Sequence, residues 1–265
     1  MHITKHLGII GGNGWLGNAM ALAAVERGLV SAGQVTLSSR SGSRGADPIA
    51  GATWTRDNAA LASRADIIVL SVRPQQFPEV EIDASGKLVV SVMAGVSAAT
   101  IAARTGASRI VRAMPNAAME IRKSFTPWYA TPTVSAEEKA TLQVLFDACG
   151  EGAEVAEEWH VDYCAGLTGS GAAFPALLAQ AMIAHAVAQG LPPDFAARAA
   201  KSVVAEASQL LGGPSGDPAQ MIASMIGYQG TTAAALETMQ AQGFMEAVAA
   251  GLDAALAKGR KMAAG

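Results

Sequence analysis

Three glycines near the start of the chain, Gly12, Gly14 and Gly17, are spaced as G-x-G-x-x-G within GIIGGNGWLGNAM (8–20). This pattern does its chemistry through the backbone. A glycine at position 12 permits a tight turn, one at 14 lets N–H groups approach a pyrophosphate, and one at 17 lets a helix pack closely on a strand. The start of the following helix adds partial positive charge for the same anion. A second candidate pattern lies far along the chain at Gly230-Thr231-Thr232, where two hydroxyls and the N–H groups of a helix start suit an anion. Each pattern has a plainer reading: a glycine-rich bend for the first, a threonine N-cap for the second. Other reactive groups are sparse. His2, His6, His160 and His185 are scattered, Cys149 and Cys164 form no C-x-x-C, and no metal-ligand spacing occurs. His185, on an apolar helix, reads as a core residue.

The elements around the glycines decide between these readings. Near-continuous apolar runs at HLGIIG (6–11), QVTLSS (34–39), ADIIVLSV (65–72), KLVVSVM (87–93) and RIVRAMP (109–115) predict strands covered on both faces. LGNAMALAAVERGL, NAALASR and SAATIAART between them predict helices. Such alternation implies a doubly wound parallel sheet of the Rossmann type, with the glycines at its first strand-to-helix turn. The end of the second strand reads LSSRSGSR, with Ser39, Arg40, Ser41 and Arg44 and no carboxylate. An acid there suits the ribose 2′-hydroxyl of NAD, whereas a guanidinium with hydroxyls suits a 2′-phosphate, so NADP(H) is expected over NAD(H). A solvated polar loop is the alternative.

After about residue 155 strand-like runs give way to Ala, Leu, Met and Gln at helical spacing. Gly190 ends one helix, and Pro192-Pro193-Asp194 opens a second that runs to Gly212-Gly213. Asp217-Pro218 caps a third, Gly230-Thr231-Thr232 opens a fourth, and Gly243 precedes a last. The expected organisation is a dinucleotide-binding domain over residues 1–155 and an all-helical dimerisation and substrate domain over 156–265. At 265 residues and 51% hydrophobic, the chain has material for two domains with substantial cores. A net charge of −3 without a Lys/Arg cluster gives no sign of a nucleic-acid or membrane partner. Few cysteines and no signal-peptide pattern fit a reduced, cytoplasmic protein. Between Tyr163 and Pro193 there is no Asp, Glu, Lys or Arg. Its apolar pieces fall short of a span of about 20 residues, so a helix buried on most faces is expected, and a helix wrapped by a second protomer needs no polar face.

Four further stretches, ADIIVLSVRPQ (65–75), VVSVMAGV to IVRAMPN (89–116), GLTGSGAAFPALLAQAM (166–182) and QGTTAAALETMQAQGF (229–244), resemble the pyrroline-5-carboxylate reductase family over nearly the whole chain and in order. The resemblance implies an NAD(P)H-dependent imine reductase of proline biosynthesis, with a Rossmann domain and a helical domain interlocked in a homodimer or larger oligomer. It implies that Asn13, Gly14, Trp15 and Leu16 hold the pyrophosphate and that Asn58 reaches the adenosine. Val72, Arg73, Pro74, Ala94, Gly95, Met114, Pro115 and Asn116 would line the nicotinamide half. Gly230, Thr231 and Thr232 would bind the substrate, with Thr232 as the catalytic contact to the imine nitrogen. The chain departs from the family where Ser-Pro-Gly-Gly-Thr-Thr becomes Gly227-Tyr228-Gln229-Gly230-Thr231-Thr232. Asn-Thr-Pro becomes Asn116-Ala117-Ala118, and Ala172 and Phe174 stand for a Pro and a Tyr. The reaction class is therefore better defined than the substrate. Three readings stay open: pyrroline-5-carboxylate reduction, reduction of a related imino acid, and a non-catalytic NADP(H)-binding regulator.

Overall fold

A computed structural model describes residues 3–40, 49–213 and 216–263. The five expected strands are present as β1 (Leu7–Ile10), β2 (Val35–Ser38), β4 (Ile67–Leu70), β5 (Leu88–Ser91) and β6 (Arg109–Ala113). Every residue of β1, β2, β4 and β5 is buried, as sheet strands with helices on both faces require. Neighbouring residues point to opposite faces. Ile9, Val69 and Val90 join one core with Met20, Leu37 and Phe146, while Ile10, Ile68 and Val89 join another with Leu61, Phe77 and Ile101.

Three strands escape the apolar-run signal. β3 (Thr53–Thr55) is three residues long, β7 (Ser124–Ala130) contains Pro127, and β8 (Gly150–Glu154) reads GEGAE. The sheet order is β3-β2-β1-β4-β5-β6-β7-β8; its first six strands are parallel, in the doubly wound order that reverses between β1 and β4. β7 pairs antiparallel to β6, and β8 parallel to β7. Around the sheet lie α1 (Trp15–Glu26), α2 (Asn58–Arg64), α3 (Ala98–Thr105), α4 (Ala136–Ala148) and α5 (Glu158–Leu167). Asp57, Ser97 and Ser135 cap α2, α3 and α4 by accepting from the backbone N–H of the third residue of each helix, Ala60, Thr100 and Glu138.

The chain packs as two units, Met1–Gly171 with Ala254–Gly265, and Ala172–Asp253. The second contains α6 (Ala173–Ala188), α7 (Pro193–Lys201), α8 (Pro218–Gly227) and α9 (Thr231–Ala241), and α10 (Phe244–Ala263) begins in it. Left-handed Gly190 and Gly243, with φ of 93° and 84°, end α6 and α9. The single helix expected from Pro193 to Gly212 is instead broken. It becomes a π turn at Ser202–Glu206, which contains the β-branched pair Val203-Val204, and 3-10 turns at Ala207–Gly212.

The expectation of a helix buried on most faces is not met by one chain alone. Among the described residues of Ala172–Asp253, only Ala179, Ala196, Ala200 and Ala233 are buried apolar residues. Leu177, Phe195, Leu210 and Met245 are 64, 51, 69 and 63% exposed. His185 is exposed as well, not the core residue its apolar neighbours implied. No described helix is long and apolar enough to cross a membrane.

Candidate active site

A cleft of about 950 Å³ opens at the carboxyl ends of the parallel strands, at the point where the strand order reverses. Gly11, Asn13, Gly14, Trp15 and Leu16 line it after β1; Ser38, Ser39 and Arg40 at the end of β2; Arg56 and Asn58 after β3. Ser71, Val72, Arg73 and Pro74 line it after β4, and Val92, Met93 and Ala94 after β5. Ser41 and Arg44 lie outside the described residues.

The glycine turn works somewhat differently from its sequence reading. The left-handed residue is Gly11, at φ 87°, where a Cβ would lie 2.3 Å from the Ser71 carbonyl oxygen. Gly12 is required by packing, since its Cβ would stand 2.5 Å from Leu37 Cδ2. A Cβ on Gly17 would press on Gly11 O, Ile9 Cγ2 and Ser71 Oγ, each at 3.1 Å, so this glycine lets α1 close onto β1 and β4. Gly12 and Gly17 therefore shape the cleft without lining it. Gly14 is the N-cap of α1, and no described side chain caps it. Asn18 N–H bonds back to Gly14 O at 3.0 Å. The N–H groups before it in the first turn have no place in the helical ladder, and they sit where the helix dipole is positive. This uncapped start, opening into a cleft with arginines at its rim, fits a dinucleotide pyrophosphate.

Asn58 is held by Ser38, whose Oγ donates to Asn58 Oδ1 at 2.6 Å, at the boundary of β2 and α2. Beyond β4, Arg73 N–H donates to Gln76 Oε1 at 3.4 Å, and Pro74 opens a short 3-10 turn. Gly95, left-handed at φ 71°, is buried behind Ala94. Met114, Pro115 and Asn116 follow β6, are buried, and do not line this cleft. The Asn116 side-chain amide is already engaged, donating to Thr168 O and accepting from Ala118 N–H, both at 2.9 Å. The sequence reading missed Arg56, because β3 was not recognised, and also Ser71 and Met93, which follow or end apolar runs without chemical signal.

In the helical unit, Gly230 is the N-cap of α9 and no described side chain caps it. Ala234 N–H reaches Gly230 O at 3.3 Å, while Thr231 and Thr232 are exposed in the first turn. Gln229 is left-handed at φ 55°, a conformation that favours glycine. The Tyr228 ring lies against Gly230, where an added Cβ would meet Cδ1 at 3.2 Å. Burial pushes the Cys149 thiol up to about 12 and raises that of Cys164, so neither is an activated nucleophile. Among the described residues no His/Cys/Asp/Glu cluster is placed to hold a metal ion.

The family model described as pyrroline-5-carboxylate reductase dimerisation matches residues 158–262, and that of NADP oxidoreductase coenzyme F420-dependent matches 6–95. The structure of a pyrroline-5-carboxylate reductase from Coxiella burnetii is 26% identical and superposes with a TM-score of 0.85, over 98% of this chain and 99% of that one. The Plasmodium falciparum pyrroline carboxylate reductase with NADP bound shares the fold at 20% identity and a TM-score of 0.84, over 99% and 100% of the two chains. The curated pyrroline-5-carboxylate reductase of Pseudomonas aeruginosa is 32% identical over 78% of each chain. That of Thermus thermophilus is 30% identical across 95% of this chain and 96% of the relative, and on that likeness the chain belongs to the pyrroline-5-carboxylate reductase family.

Proposed function

We propose that the protein reduces the C=N bond of 1-pyrroline-5-carboxylate to L-proline with NADPH, as a step of proline biosynthesis. The observation that carries this reading is the cleft at the strand-order reversal, with an uncapped helix start at one side and arginines at the rim, in a chain similar to reductases along its whole length. NADPH, when bound, supplies the hydride. The work of the chain is positional. N–H groups of the first turn of α1, with Asn13, hold the pyrophosphate; Asn58 and Ser39 take the adenosine side; Arg40 takes the 2′-phosphate. Val72, Arg73, Pro74, Ala94 and Gly95 form the nicotinamide end, which Met114, Pro115 and Asn116 support from β6.

The start of α9 anchors the substrate carboxylate through Gly230, Thr231 and Thr232. The Thr232 hydroxyl holds the ring nitrogen, donating to the lone pair of the imine or accepting from the N–H of the iminium. The proton of the product comes from water, taken up by the nitrogen before hydride transfer in the iminium or passed on through the Thr232 hydroxyl in the imine, so no strong acid of the chain is consumed. The helical unit, with alanines as its only buried apolar residues among those described, needs apolar cover, and a second copy of the chain provides it in a homodimer.

Tyr228 against Gly230, with Gln229 where the family has glycine, favours a second reading in which the substrate is a related imino acid. Following NADPH oxidation over a panel of cyclic and acyclic imino acids separates the readings. Fastest turnover of pyrroline-5-carboxylate is expected; a faster relative would shift the substrate, and no turnover of any would leave an NADP(H)-binding regulator.

A further inference from the structure

The adenosine end of the cleft brings together two cations that are well apart in sequence. β2 and β3 run parallel with Ser38 opposite Thr55, and the ladder continues where Ser39 N–H donates to Thr55 O at 3.2 Å. In that register Arg56 leaves β3 beside Ser39, and Arg40 is the next residue on the β2 side. Both arginines are exposed, and both line the cleft with Ser39 and Asn58. The adjacent carboxylate, Asp57, is engaged in capping α2, accepting from Ala60 N–H at 3.0 Å, and is not among the lining residues. The acid among the described lining residues is Glu79, which follows β4, on the other side of β1.

We infer that Arg56 is a second specificity-determining residue, which with Arg40 holds the phosphate on the 2′ position of the adenosine ribose. The inference rests on reading the cleft as the NADPH site. A phosphomonoester presents three acceptor oxygens and a charge of about −1.5 to −2 near neutral pH. One planar guanidinium engages two oxygens at most and balances a single charge, so a second, entering from the neighbouring strand, completes the match. A ribose hydroxyl has neither the charge nor the oxygens, so NADH gains nothing from Arg56. The pair makes a discriminator rather than a general anchor for nucleotides.

Direct binding without any imine tests this. Adenosine 2′,5′-bisphosphate, ADP, NADPH and NADH are titrated calorimetrically into wild type, Arg56→Ala, Arg56→Lys and Arg40→Ala. Arg56→Ala is expected to weaken adenosine 2′,5′-bisphosphate and NADPH about tenfold. ADP and NADH should change by less than about twofold, and Arg56→Lys should fall between. Wild-type affinity for the bisphosphate should also fall more steeply with salt than that of Arg56→Ala. Equal weakening of all four ligands, or unchanged affinity for the bisphosphate while Arg40→Ala loses it, would overturn the role of Arg56. Wild type that binds neither NADPH nor the bisphosphate would overturn the cofactor reading and this inference with it. Tight, 2′-phosphate-dependent binding that needs Arg56, with no imine turned over, would sink the reductase reading alone and uphold the inference. Matching melting temperatures and circular dichroism establish that the exposed substitutions leave the fold intact.

Discussion

Tyr228 ends α8 and Thr232 lies four residues on, in the first turn of α9, and the chemistry of this stretch can be divided by single substitutions. If the Thr232 hydroxyl donates to the imine nitrogen as the hydride arrives, the contact strengthens toward the transition state and belongs in kcat as well as KM. Thr232→Val, nearly isosteric, is expected to lower kcat/KM about ten- to a hundredfold with NADPH affinity intact. Normal turnover by this variant on the best substrate would remove Thr232 from the catalytic role. Gln229→Gly relieves a left-handed conformation worth about 1–2 kcal/mol, but frees the unfolded chain by about 0.5–1 kcal/mol. Its stability should therefore hold or rise, by at most about 1.5 kcal/mol, and a shift in substrate preference would report the pocket. In the first unit, His6 Nε2 lies 2.9 Å from Thr36 Oγ1. Burial lowers the imidazole pKa, the charge of Arg64 lowers it further, and Asp66 opposes both. The unfolded chain then takes up a proton at a pH where the folded chain does not, so stability rises with pH across that window. The melting temperature is expected to drop as pH falls below about 6.5, and His6→Gln should flatten that slope. An unchanged slope would place the titration elsewhere.

Between elements, β6 and α5 are joined by a buried charge. Arg112 is 2% exposed in the middle of β6; its Nη1 donates to Glu158 Oε1 at 2.9 Å and its Nη2 to Asp162 Oδ1 at 2.5 Å. Glu158 Oε1 also accepts from Ala98 N–H at 2.7 Å, which ties in the start of α3. Burial alone would lower the Arg112 pKa, yet the hydrogen bonds and charges of Asp162 and Glu158 raise it, so the guanidinium stays charged. Arg112→Leu strands two carboxylates that are 32 and 27% exposed and can partly rehydrate. The loss is expected below the 3–5 kcal/mol of a fully buried break, at about 2–3 kcal/mol in a denaturant titration. Arg112→Lys should recover little, because an ammonium cannot fork between two acids. A loss under about 0.5 kcal/mol would show that packing alone holds α5.

At the scale of the whole molecule, stability is expected to depend on association. Leu177 is 64% exposed on the single chain. In a monomer Leu177→Glu would be a surface change of about 0.5 kcal/mol or less, but at an apolar interface between copies it buries a charge without a partner. Light scattering is expected to show loss of the dimer, and the melting temperature is expected to fall and lose its dependence on protein concentration. Unchanged mass and melting temperature would place the interface elsewhere. Ala179 is a poorer probe, since it is already buried within its own chain and a charge there is costly in either state.

What the sequence determined by itself are features written in local patterns. Continuous apolar runs mark the strands buried on both faces, small residues and caps mark the helices, and the glycine spacing follows from backbone clearance at one turn. The length of the uncharged run was likewise legible, because apolar surface has to be covered by something. Tertiary structure decided what depends on a neighbour. β8 has an unremarkable composition and becomes a strand because β7 offers it hydrogen bonds, while β3 exists because β2 does. The register of β2 on β3 sets Arg56 near Arg40, and packing against Leu37 gives Gly12 its reason. Asn116 has its amide engaged by Thr168, far along the chain. Spacing in a sequence reports what a backbone does over a few residues; which distant strand, carbonyl or charge lies alongside is set when the sheet closes and the side chains of both faces are packed.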